Sequence, residues 1–549
     1  MSELPGRGAP DVRSGRRSAA AAWVDTHLIG LYREFRLSYL PPLMVYLAAG
    51  VSGLTGIVGT FFVKDYLGLS AAFLSSLAFW AGIPWALKMP IGHLVDLFWR
   101  YKSGFVYLGA VLLAASLAIM AALILEPAAM RELLPIEHWF VLSSLLAPIG
   151  YVLQDAVADA MTVEAVPRVD ADGRPFGDEA RKRMNTTMQT LGRVAIVGGG
   201  ILVSVVNVVM FEGVDRLAEE AKAAIYARIY LMALAIPAIS VAGVLLAAWL
   251  RRRASRTEAG GGSGPETAVE PTRPNGWILG GSLLFVALSL SVGLAGVAYS
   301  EELIFGGSMG VVGFLMSRLM KELEPSARNT LLGTAVVIFV FRALPGPGPG
   351  VTWWQIDALG FDARFLSQLS LIASVLTLIG LVGFRRLMAE RSITWVIGWL
   401  TVAGFVLGLP TVGLYYGLHE WTAALTGGLV DARFIVLLNT AVESPLGQIA
   451  MVPMLAWIAN SAPTHLKATF FAVMASFTNL ALSASQLGTK YLNLVYDVRR
   501  GVVDPVSRSI TTAADYSELG HLLIVVAVLS LALPFAAIGI ARLLGLRSA

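Results

Sequence analysis

Apolar stretches of about 20 residues recur from one end of the chain to the other, separated by short charged turns. A stretch of that length is what an α-helix needs to cross the hydrocarbon core of a bilayer. No water reaches the backbone there, so each segment must satisfy its own hydrogen bonds, and only a bundle of helices does so with this pattern. Composition agrees. Of the 549 residues 56% are hydrophobic, mean hydropathy is +0.70 and only 14% are charged. A soluble globular chain carries about 25% charged residues. The expected fold class is an all-α polytopic membrane protein.

Apolar windows place spans near 40–62, 71–95, 104–125, 139–164, 185–210 and 228–250. The next stretch, Arg251 to Asn275 (RRRASRTEAGGGSGPETAVEPTRPN), is charged and rich in Gly, Ser and Pro. It reads as a flexible linker between domains. Two spans follow at 277–298 and 303–320, then six more at 329–345, 365–384, 393–416, 433–459, 467–492 and 520–545. The expectation is therefore about 14 transmembrane helices, six and six with an inserted pair. In domain terms these are a cytoplasmic segment 1–37, a bundle 38–250, the linker 251–275, the inserted pair 276–322 and a second bundle 323–546.

With the N-terminus inside and loops assigned alternately, the inner loops and tails hold more than twice the Lys and Arg of the outer loops. This excess predicts that both termini are cytoplasmic, in a cell (inner) membrane. The first residues do not read as a cleavable signal peptide. Their apolar part, AAAAWV, is short and is followed by His27, Arg33, Glu34 and Arg36. Trp23 to Arg36 reads instead as a short interfacial helix.

Several chemistries are excluded. There is no Cys, so there is no disulfide, thiolate metal site or Cys nucleophile, and the six His are scattered. No GxxxxGK[ST] phosphate loop appears, which argues against a P-loop ATP-driven pump. The net charge of +4 belongs to the cytoplasmic loops, not to a nucleic-acid surface. No nucleophile–base spacing is present, so no enzyme, metal or cofactor is expected.

Against this apolar background the charges inside spans stand out. Gly150 to Glu164 (GYVLQDAVADAMTVE) carries Asp155 and Asp159 four residues apart, on one helix face, and Glu164 at its end. An Asp at mid-membrane costs about 2.5–3.5 kcal/mol on insertion scales. Such groups are retained when they face a polar cavity, or when an internal ion pair holds helices together. At 1.5 Å per residue, Lys88 lies roughly 12 Å above Asp96, Asp155 roughly 13–14 Å above Glu164, and Arg193 roughly 12 Å beyond the inner start of its span. Lys88, Asp155 and Arg193 are thus expected at one level. Arg193 stays charged and can bind an anion but carries no proton, whereas Asp155 and Asp159 can titrate. Competition between substrate and carboxylate for a shared cation is a physical route to proton coupling.

In the second bundle Glu443, in NTAVESPLGQ, is the clearest intramembrane acid, and Pro445 is expected to break its helix and leave carbonyls facing a cavity. Arg342 reads as an interfacial cap. Glu301 and Glu302 read as a solvated outer turn of the inserted pair. Asn439, Gln448 and Asn479 are polar groups for substrate or for contacts between helices.

Two levels of resemblance follow. The six-plus-six layout resembles the major facilitator superfamily fold, with a substrate cavity between two bundles. Gly92-His93-Leu94-Val95-Asp96, with Arg100 and Lys102, resembles that superfamily's G-x-x-x-D-(R/K) cytoplasmic turn, a conformational-switch loop. More narrowly, four stretches resemble the folate–biopterin transporter family. They are Phe62 to Ser70 running on to Pro84-Trp85 and Lys88, Gln154 to Glu164 (D-x-x-x-D-A-x-x-x-E), Phe339 to Leu366, and Ala462 to Asn479 (APTHLKATFFAVMASFTN). Ala462 stands where the family often has Cys, Lys467 where it often has Glu, and the inserted pair is not part of the twelve-helix pattern.

The resemblance implies a secondary active transporter, coupled to an ion such as a proton, that moves a folate- or pterin-like small anionic solute by alternating access. Lys88, Asp155, Asp159, Arg193 and Glu443 are its expected substrate-binding or coupling residues. Permeases for muropeptides or acyl-CoA-type cargo share the P-W-x-x-K and Q-D-x-x-x-D features. A pigment-complex assembly scaffold, with no need for titrating acids, is an alternative of another class.

Overall fold

The computed structural model describes residues 35–546 except 67–68, 87, 99–100, 167–173, 175, 259–275, 296, 322, 385–390, 447–448, 450–466 and 504–509. The described chain is helical apart from two short antiparallel strands, β1 (Val502–Val503) and β2 (Ile510–Thr512), before the last helix. The interfacial helix expected at Trp23 to Arg36 falls almost wholly outside the described residues, as does the linker beyond Glu258.

In the N-terminal half α1 (Leu40–Val51) runs through a 3-10 turn at Ser52–Thr55 into α2 (Gly56–Tyr66). Next come α3 (Ala71–Ala86), α4 (Lys88–Leu97), α5 (Lys102–Leu125), a short α6 (Pro127–Leu133), α7 (Ile136–Ala165) and α8 (Asp178–Met210). The half closes with α9 (Glu219–Ala233) and α10 (Ala235–Glu258). The two helices expected as an inserted pair are α11 (Gly276–Leu294) and α12 (Ser300–Met320). The C-terminal half contains α13 (Pro325–Arg342), α14 (Gly350–Leu359), α15 (Ala363–Gly383), α16 (Ile393–Tyr415), α17 (Leu418–Thr426), α18 (Ala432–Glu443), α19 (Lys467–Val495) and α20 (Leu519–Leu543).

Among the described residues, eight helical stretches are long and apolar enough to cross a membrane, which makes this an integral multi-pass protein. The expected span at 433–459 is not one continuous helix: α18 stops at Glu443 in a 3-10 turn, Ser444–Leu446. Proline removes a ladder hydrogen bond and crowds the preceding turn, so a break at Pro445 follows from the sequence. The expected span at 71–95 is covered by α3 and α4, and residue 87 between them lies outside the described residues. Elsewhere Pro148, Pro410 and Pro534 sit inside continuous helices. Helix starts are fixed locally: Ser392 accepts from the Trp395 N–H, and Asp431 from the Phe434 N–H at 2.8 Å.

Small residues set the helix spacing, as expected where lipid supplies no hydrophobic drive between helices. A Cβ on Gly109 of α5 would lie 2.5 Å from the Gly150 carbonyl oxygen of α7, so the two backbones touch. One turn pair further along, the Ser116 and Ser143 hydroxyls bond each other at 2.9 Å and each other's carbonyls. This contact fixes the rotation of α7, and with it the direction in which Asp155 and Asp159 point.

The halves meet along two seams. Helix α3 packs along α19, where Asn479 donates to the Trp85 carbonyl at 2.9 Å, and α8 packs along α15. At the end of the molecule that carries α14, ion pairs join the halves. Lys64 Nζ is 2.6 Å from Asp357 Oδ1, and Arg364 is 3.2 Å from Glu212. The Asp357 carboxylate also accepts the Tyr516 hydroxyl at 2.5 Å.

One expectation is overturned here. Glu301 and Glu302 are not a solvated turn. Glu301 is 7% exposed and pairs with Lys490 of α19 at 2.5 Å, while Glu302 takes a second Lys490 contact at 3.1 Å and the Tyr491 hydroxyl at 2.6 Å. The turn folds inward because Lys490 and Trp80 of α3 stand at its level, and a paired carboxylate tolerates burial there.

Candidate functional site

Four helices converge on one charged cluster. Lys88, the first residue of α4, reaches across to α7, where its ammonium lies 2.5 Å from Asp155 Oδ2 and 2.8 Å from Asp159 Oδ2. The four-residue spacing of the two carboxylates lets one ammonium span both, since they stack on one face of α7. Asp159 Oδ1 accepts a hydrogen bond of 2.6 Å from the Tyr46 hydroxyl of α1. Asp159 therefore uses both oxygens, one toward a cation and one toward a neutral donor.

The adjacent Gln154 points elsewhere. It is buried and accepts the Ser240 hydroxyl of α10 at 2.8 Å, on the packing side of α7. One side chain is turned into the bundle and the next toward the cluster, as a rotation of about 100° per residue requires. Exposure separates the two acids as well. The Asp155 side chain is 17% exposed and that of Asp159 is 48%. A carboxylate turned to hydrocarbon carries a penalty of about 2.5–3.5 kcal/mol, so the open side of Asp159 reads as a polar space.

Arg193 lies on α8 and acts electrostatically on both Asp155 and Tyr46. It has no hydrogen bond or ion pair among the described residues, and its side chain is exposed. Gly192 beside it carries the Tyr46 ring: a Cβ there would stand 2.9 Å from ring carbon Cε2. Any larger residue would displace the phenol that holds Asp159. Lys88, Asp155 and Asp159 are thus in direct contact, with Arg193 at the margin and without a bond among the described residues.

Glu443 does not join them. It ends α18, is exposed, and is 3.4 Å from the Asn439 amide of its own helix. The helix break expected at Pro445 occurs, and the Ser444 carbonyl beside it accepts the Thr377 hydroxyl of α15 at 3.0 Å. Arg342, expected as an interfacial cap, donates to the Thr478 carbonyl within α19 at 3.2 Å. Of the switch loop, Gly92 lies in α4, whereas Arg100 and the side chain of Asp96 are outside the described residues. The same holds for Gln448, Ala462 and the side chains of Glu164 and Lys467. Tyr46 is the residue that the sequence did not single out. A phenol in an apolar span is ordinary, and its partner Asp159 is 113 residues away.

Comparison with known proteins places this architecture. The described helices match a transporter of the POT family solved in complex with 5-aminolevulinic acid, with a TM-score of 0.55 at 13% identity over 94% of this chain and 96% of that one. That likeness concerns the fold alone. In sequence, the chain is 24% identical over 442 residues to a folate-biopterin transporter of Synechocystis sp., covering 80% of this chain and 71% of the relative. It is also 24% identical over 168 residues to a putative folate transporter 2 of Plasmodium berghei, covering 29% of this chain and 34% of that relative. These relatives are named as transporters, which fits a protein without enzymatic activity. The model of the BT1 family matches residues 49–544, which include the cluster of Tyr46's partners and nearly all of both halves, and the chain therefore belongs to the BT1 family, a family of membrane transporters.

Proposed function

We propose that the chain is a secondary active transporter, coupled to a proton, that moves a folate- or pterin-like anionic solute by alternating access. It would do so as two six-helix bundles, 38–250 and 323–546, with an inserted pair between them, fourteen spans in all. On this reading both termini are cytoplasmic, and the host membrane is the cell membrane.

The observation that carries the reading is the division of labour around Lys88. Its ammonium is shared between two carboxylates at 2.5 and 2.8 Å, so it has little left to offer a substrate. Arg193, exposed and without a bond among the described residues, is the cation that receives an anion, and its planar fork suits a carboxylate. An anion on Arg193 takes up the attraction that this cation otherwise lends to Asp155. The carboxylate pair is then less compensated, which favours a proton on the pair. By linkage the proton favours the anion equally. A proton on the pair releases part of the hold on Lys88, so α7 and α4 gain freedom to shift only when both ligands are present.

Thermal stabilisation of the purified protein against folate, 5-formyl-folate, biopterin, S-adenosylmethionine and a muropeptide tests the cargo. A ligand that binds only the folded form adds RT ln(1 + [L]/Kd), about 2.7 kcal/mol at 100 Kd. Stabilisation by a pteridine that disappears in Arg193→Gln supports the reading. Stabilisation by the muropeptide alone contradicts the cargo assignment.

A further inference from the structure

The inserted pair occupies a position that a simple spacer does not need. Its second helix, α12, lies along α19 of the C-terminal half, and its first, α11, packs on α12. At the α14 end Glu301 reaches both halves at once. One carboxylate oxygen, Oε2, holds the Lys490 ammonium of α19. The other, Oε1, accepts the Trp80 indole N–H of α3 at 3.1 Å and the Ser76 hydroxyl of the same helix. Helix α11 closes on the same tryptophan: a Cβ on Gly293 would lie 2.9 Å from the Trp80 ring. Lys490 and Tyr491 anchor the second acid, Glu302, to α19, and among the described residues it makes no bond to α3. The contacts are therefore unequal. The pair is tied to α19 by charge and to α3 by two neutral donors, converging on a single buried oxygen.

We propose that the inserted pair is a clasp. It moves with the C-terminal half, and through Glu301 it holds the α14 end of α3 against α19, stabilising the conformation closed at that end. Opening there breaks the Ser76 and Trp80 bonds and leaves the Lys490 pair intact, so Glu301 keeps a partner in both states. This asymmetry makes the clasp reversible. A buried carboxylate stripped of its cation would be too costly to cycle, whereas two neutral donors returned to water are not. The inference rests on the packing of the two halves and not on the cargo or coupling ion, so either can fail without the other.

The test is a distance measurement on full-length protein in lipid nanodiscs. The chain has no Cys, so spin labels at Phe73→Cys and Leu494→Cys report the α3–α19 separation without background. The parent is expected to show mainly the short separation. Trp80→Phe keeps the ring but removes the N–H donor, and Ser76→Ala removes the hydroxyl. Each hydrogen bond to a charged group is strong enough that the pair of substitutions should raise the ratio of long to short separations about tenfold. Either single variant should shift the ratio in the same direction by less. An unchanged distribution in folded Trp80→Phe or Ser76→Ala protein, whether or not its thermal stability falls, overturns the proposal. So does a parent that already shows mainly the long separation.

Discussion

The Tyr46 hydroxyl donates to one oxygen of Asp159 at 2.6 Å while the Lys88 ammonium lies 2.8 Å from the other, so a single carboxylate joins α1 to α4 through α7. This arrangement makes Asp159 the hinge of the cluster. Its two partners differ in kind, one charged and one neutral, and they respond differently to substitution.

Lys88→Ala removes the only cation in contact with Asp155 and Asp159 among the described residues. Two carboxylates four residues apart then face each other uncompensated. Breaking a buried pair by removing one partner costs about 3–5 kcal/mol, less for a group as exposed as Asp159. The unfolding temperature of Lys88→Ala should fall clearly, and Lys88→Ala combined with Asp155→Asn and Asp159→Asn should recover most of the loss.

Tyr46→Phe keeps the ring against Gly192 and removes one hydrogen bond to a charged acceptor, an interaction of about 1.5–3 kcal/mol. The protein should still fold. Its ligand-bound and ligand-free forms should differ in the pH at which protons are taken up, read by proton uptake on ligand addition.

Arg193→Gln should change unfolding temperature little, because Arg193 has no bond among the described residues and exposed substitutions usually stay within about 0.5 kcal/mol. Affinity for an anionic ligand should drop instead. Equal loss of affinity for a neutral analogue would assign Arg193 a packing role.

Asp515 lies outside the spans, where the Ser517 backbone N–H and hydroxyl hold its carboxyl below the usual carboxylate range. A group whose folded value is depressed stabilises above its unfolded value, near about 3.9, and loses that stabilisation as pH falls through the folded value. Hydrogen exchange at the Ser517 amide should therefore accelerate, relative to its intrinsic rate, only in strong acid. In Asp515→Asn the acid response should be absent.

The legible part of the cluster was the part set by periodicity. Counting 1.5 Å per residue from the inner helix ends placed Lys88 and Asp155 at one depth, and in the structure they touch. Arg193, counted to the same level, stands close enough to act on Asp155 without touching it. Partners set by tertiary packing were not legible. Tyr46 meets Asp159, and Glu301 meets Lys490 and Trp80, across 113, 189 and 221 residues of chain. Two adjacent acids at a tight turn look solvated until the helices that approach them are known. Pro445 announced the end of α18, but the Thr377 hydroxyl that meets the Ser444 carbonyl comes from a different helix.

Counterflow and gradient-driven uptake of a labelled pteridine in proteoliposomes, with Asp159→Asn beside the parent protein, test proton coupling at the cluster most directly. The account predicts that the parent accumulates cargo under an imposed pH gradient, and that Asp159→Asn still exchanges cargo across the membrane but no longer accumulates it. Accumulation by Asp159→Asn at the parent's level would contradict the account and leave the Lys88 cluster as a structural ion pair.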